Sequence, residues 1–169
     1  MPISAKAMEL ENQSIGANGA PTLAAAYELL REQWESGERD RELALHLNFL
    51  AWYLIIEPSH LTGLDEARIS SESLVAVFNT VHDWLLPNGT DTNDAEALYV
   101  VGLPARMFPG MFGHHDLWAS PKAFRKVLVK DSDKGFSRWS PGIFRPGKGC
   151  PGKIVGWIHE SCDDHEPDS

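Results

Sequence analysis

Cysteine is nearly missing from this chain: Cys150 and Cys162 are the only two among 169 residues, too few for the disulfide framework of a small secreted domain. No apolar run reaches the roughly 18 residues that mark a membrane span. Basic residues are also the minority, 15 against 24 acidic ones for a net charge of −9, which argues against a protein that binds polyanions over its whole surface. The opening MPISAKAMELENQ carries Glu9 and Glu11 and holds no apolar stretch of signal-peptide length. The expectation is a cytoplasmic protein with reduced thiols. There is no GxSxG elbow, no HExxH pair and no repeat of solenoid period.

What is present is an ordinary globular composition, 43% apolar, in a chain of single-domain length that needs no disulfide or metal to hold a core. Leu23, Tyr27, Leu30 and Trp34 recur at spacings of 4, 3 and 4 and predict an amphipathic helix that opens after Pro21-Thr22 and stops at Gly37. A second helix is predicted from about Arg39 to Ile56. From Leu47 onward only Asn48 interrupts its apolar residues, the mark of a helix buried on nearly all sides; a buried strand is the alternative. A third is expected over Ser71–Leu86, capped by Ser70 or Ser71, with Leu74, Val77, Phe78, Val81 and Leu85 as its stripe. A fourth follows an Asp91–Asp94 cap, with Leu98, Val101, Gly102 and Ala105 inward and a kink or break at Pro104. Ser120-Pro121 starts a short fifth. Residues 135–156 hold six glycines and three prolines, which disfavours long regular structure. The fold class read from this pattern is all-α: a bundle of four to five helices around Leu47–Ile56, with an irregular Gly/Pro-rich basic C-terminal arm. Residues 1–20 form a flexible N-terminal arm, 21–130 the helical domain, and 131–169 the basic arm and acidic tail packed on that domain.

Charge is segregated along the chain. Residues 1–116 carry 6 basic and 17 acidic side chains, residues 117–158 carry 9 and 2, and the last 11 residues carry 5 acidic and none basic. The basic stretch either lies across the acidic helices of its own chain, pairs with its own acidic tail, or meets a partner.

Four patterns invite a chemical reading. Gly147 to Lys153 matches the glycine–lysine frame of a phosphate loop, but Ile154 stands where magnesium needs a hydroxyl and Pro151 removes an amide. His159, Cys162 and His165 offer zinc-type donors in a polar tail. His114-His115-Asp116 follows a glycine-broken connector, and His82-Asp83 lies on the polar side of the third helix. Either pair can join an acid–base or metal constellation with Glu57 or His60; histidines near helix ends also cap carbonyls or face water. Phe136, Trp139, Phe144 and Trp157 interleave with Lys134, Arg138, Arg145, Lys148 and Lys153, as stacking platforms and phosphate partners do in single-strand binders; anchoring of a glycine-rich segment explains them as well.

With no coherent catalytic set, the sequence favours a non-enzymatic protein–protein interaction module, an adaptor or inhibitor-like subunit. The expected contact residues are Met107, Phe108, Met111 and Phe112, a flexible apolar patch, together with Arg138, Trp139, Arg145, Lys148 and Lys153. The expected partner is another protein rather than a membrane or nucleic acid, with no cofactor and no assigned metal site. The rival reading is a metal-dependent hydrolase using His114, His115 and Asp116. A third is single-stranded nucleic-acid binding through the aromatic–basic arm.

Overall fold

The computed structural model describes residues 3–119 apart from positions 14, 90 and 109. The expected fifth helix after Ser120, the basic arm and the acidic tail lie outside the described residues. Seven helices succeed one another: α1 (Ala5–Gln13), α2 (Leu23–Glu35), α3 (Arg41–Ile56), α4 (Ser59–Thr62), α5 (Ser71–Leu85), α6 (Ala95–Met107) and α7 (His115–Ala119). Five of them are long. The architecture is all-α, but the expected count of four to five helices is corrected to seven within these residues alone.

The correction has local physical causes. The first twenty residues lack an apolar stripe, yet α1 forms because its face is narrow and its fastening is largely polar. Only Ala7 of α1 is buried, with Ile3 and Leu10 packed at the core's edge. Ser4 Oγ accepts the Ala7 N–H at 3.3 Å, and Glu11 receives His46 Nδ1 at 2.8 Å from α3. A single turn, α4, comes after Pro58 and ends at Gly63, whose φ of +75° suits glycine. A Cβ at Gly63 would also lie 2.8 Å from the Pro21 carbonyl oxygen. The third unanticipated helix, α7, is five residues long.

The core is organised by α3. Eleven of its sixteen residues are buried, including every one from Leu43 to Ala51. No strand runs through this segment, and α2, α5 and α6 pack around it. Asp40 starts α3 by accepting the Glu42 and Leu43 N–H groups at 2.9 and 3.3 Å, Ser70 caps α5 through Ser73 N–H at 3.2 Å, and Asp94 caps α6 through Ala97 N–H at 3.0 Å. Helix α6 does not break at Pro104. It continues to Met107, since the proline sits within the last turn and little helix remains beyond its missing donor. No helix among the described residues is long and apolar enough to cross a membrane.

Asp94 has a second duty. Arg41 grips it with two parallel bonds of 2.7 Å, reaches Glu96 at 3.0 Å, and so ties the start of α3 to the start of α6. The guanidinium holds the Asp94 carboxyl below the usual carboxylate range. Replacing Asp94 by Ala removes the cap and the ion pair together, and urea denaturation is expected to show a loss of about 2 kcal/mol. Asp94→Asn keeps a capping oxygen and should lose about half as much.

A candidate metal centre between α5 and α7

The last two turns of α5 carry Phe78, Asn79, His82 and Asp83, and the connector before α7 steps along them. Phe112 is buried against Phe78, ring centroids 4.1 Å apart. The Gly113 N–H donates to Asn79 Oδ1 at 3.0 Å. His114 lies flat on His82, with centroids 3.9 Å apart and planes within 2°. A backbone φ of +66° at His114 brings this about, a left-handed conformation uncommon outside glycine but more accessible to His, Asn and Asp than to most residues. The carbonyl of His114 then accepts the Trp118 N–H at 3.2 Å and closes the first turn of α7.

Asp83 Oδ1 joins the two rings. It lies 3.2 Å from His82 Nδ1 and 3.0 Å from His114 Nε2. The donor atoms of His82, Asp83 and His114 all fall within 4.8 Å of one another. The cluster grades from core to solvent: the three residues' side chains are 2%, 65% and 31% exposed.

Burial has a clear electrostatic effect. Loss of water around His82 lowers its pKa to about 4, the charge of His114 adds to the shift, and Asp83 opposes it. His82 is therefore a neutral imidazole at neutral pH. Its proton is located by Trp118, whose indole Nε1–H donates to His82 Nε2 at 3.0 Å. An indole is a donor only, so Nε2 is the accepting nitrogen and Nδ1 carries the hydrogen that points to Asp83. Trp118 is itself buried, lying over Gly102 of α6 so closely that a Cβ there would overlap Cζ3 and Cη2 of its ring.

The sequence pattern singled out His82-Asp83 and His114 as residue types but assigned no metal site and did not join them. His82, expected on the polar side of its helix, is buried, and the fold brings these two distant pieces together. Glu57 and His60 do not join them. Asp116 lies on α7 outside the cluster, and the side chain of His115 lies outside the described residues. Trp118 as partner to His82, and Gly102 as its floor, were missed: the sequence around a tryptophan carries no sign of its hydrogen-bond acceptor. Among the expected contact residues, Met107 and Met111 are exposed, Phe108 is half-buried and Phe112 is buried. Arg138, Trp139, Arg145, Lys148 and Lys153 lie outside the described residues, as do the glycine–lysine loop and the His159–Cys162–His165 tail. Comparison with protein-family models, curated proteins and solved structures finds no match to this chain.

The neutral state of His82 links stability to pH. Its pKa is about 4 when folded against 6.5 for the ordinary group, so the unfolded chain takes up the proton first as pH falls. The contribution is fully present above about pH 6.5 and is lost on descent toward pH 4, an effect on the order of 3 kcal/mol. Urea denaturation across that interval should show the slope, and His82→Gln should flatten it. An equal slope in both proteins would mean that His82 is not the linked group.

Proposed function

We propose that this chain binds a divalent transition-metal ion through His82, Asp83 and His114 and acts as a metal-dependent hydrolase. The observation that carries the reading is the convergence of two imidazoles and a carboxylate within 4.8 Å. Nitrogen and carboxylate oxygen are the donor types of zinc sites, and three protein ligands rather than four are the pattern that leaves a position for substrate. The exposure of Asp83 puts that position on the solvent side. A metal held there would polarise a carbonyl or phosphoryl oxygen as a Lewis acid.

Coordination asks for one movement. Imidazole lone pairs lie in the ring plane, and two stacked parallel planes do not meet at a common point. The more exposed ring, His114, therefore swings out of the stack while His82 stays anchored in the core. Titration calorimetry of the purified protein with zinc should give one site per chain, and His114→Ala and Asp83→Ala should each weaken it by roughly tenfold or more. Absence of stoichiometric zinc uptake would overturn the reading.

A second reading, the protein-interaction module, is supported by Met107 and Met111, which expose 42% and 40% of their surface beside half-buried Phe108. Methionine-rich patches adapt to a partner's shape. The double substitution of Met107 and Met111 by Ser should leave thermal stability within about 0.5 kcal/mol and abolish recovery of a partner from host extract; unchanged recovery would remove this support.

A further inference from the structure

We propose that Trp118 gates the metal site: its indole N–H and the metal compete for His82, so that metal uptake releases Trp118 from its seat on Gly102. The inference rests on the metal-binding reading and adds a regulation to it. The competition arises because one neutral imidazole has one lone pair and one N–H. Trp118 Nε1–H occupies the lone pair at Nε2, at 3.0 Å. A metal entering at Nε2 displaces the indole directly. A metal entering at Nδ1, the nitrogen 3.2 Å from Asp83 Oδ1, obliges the ring proton to move to Nε2, where it meets the indole N–H head-on. Two donors then face each other in a buried place and neither has an acceptor, an arrangement that costs more than the lost bond alone. By either route the bond breaks.

The packing around Trp118 sets the consequence of that break. Its ring lies against Gly102 of α6, and its backbone N–H closes the first turn of α7 on the His114 carbonyl. His114, the ligand that must leave the stack, is thus the residue on which that turn begins. Departure of the indole and rotation of His114 belong to one movement of the connector and α7. Metal occupancy is reported outward as a change in where α7 sits.

Three measurements decide the matter. Trp118→Phe keeps an aromatic ring over Gly102 and removes the donor, and its affinity for zinc should rise about tenfold over wild type. In wild-type protein, zinc titration followed by ¹H–¹⁵N spectra should move the Trp118 indole signal from its hydrogen-bonded position in step with uptake. Gly102→Ala, which places a Cβ in the ring's seat, should expose Trp118 without metal, as a red-shifted fluorescence spectrum, and should also tighten zinc. If wild type takes up zinc but Trp118→Phe binds no better, or the indole signal stays where it is, the gate is overturned while the metal site stands. If neither protein takes up zinc, both proposals fall.

Discussion

A helix that is apolar on nearly every side has to be enclosed, and α3 imposes that requirement on the whole chain. Its continuous buried stretch from Leu43 to Ala51 leaves no face for water, so α2, α5 and α6 lie around it, while α1 packs on α2 and reaches α3 through the Glu11–His46 contact. Hydrophobic burial supplies the drive but no direction. Direction comes from a few polar contacts: the Arg41 fork on Asp94 and Glu96 sets α6 against α3, and buried Asn48 donates to the Phe78 carbonyl at 3.0 Å and fixes α5. That last bond matters for the chemistry. The turn of α5 held by Asn48 on one side presents Phe78, Asn79, His82 and Asp83 to the connector on the other.

The site is therefore a by-product of helix packing with a sharp electrical character. One imidazole is buried, neutral and committed to a particular tautomer; the other is partly exposed, on left-handed backbone. Between them is a carboxylate whose Oδ1 lies within 3.2 Å of a ring nitrogen of each. The same desolvation that keeps His82 uncharged preserves its one lone pair, which accepts the Trp118 indole N–H; a protonated imidazole has no lone pair to give.

Legibility in the sequence tracked the strength of the physical signal. Where apolar residues recur with helical spacing, as in α2 and α5, or dominate a long run, as in α3, the helices were readable; the caps of α5 and α6 were narrowed only to Ser70 or Ser71 and to Asp91–Asp94, of which the structure uses Ser70 and Asp94. Helix α1 was not, because Ala7 alone is buried and its attachment through Glu11 depends on a histidine 35 positions away. Pro104 was read as a kink or a break; the helix does not break there, because near a helix end the lost bond costs little. For the site, the pairs His82-Asp83 and His114-His115-Asp116 stood out as residue types, yet nothing in their spacing joins them across 32 positions. The joining is done by Phe112 on Phe78 and Gly113 on Asn79, contacts between ordinary residues. The Trp118 bond was out of reach for the same reason.

The left-handed backbone at His114 restricts which amino acids position 114 accepts. Most side chains crowd their own carbonyl at that φ; glycine, asparagine, aspartate and histidine sit there with least penalty. Within that short alphabet only one letter brings an aromatic nitrogen heterocycle able both to lie against a neighbouring ring and to offer a lone pair. The main chain thus narrows the choice before any chemistry is considered, and the residue found is the one member of the set that combines a flat aromatic face with a ring nitrogen's lone pair.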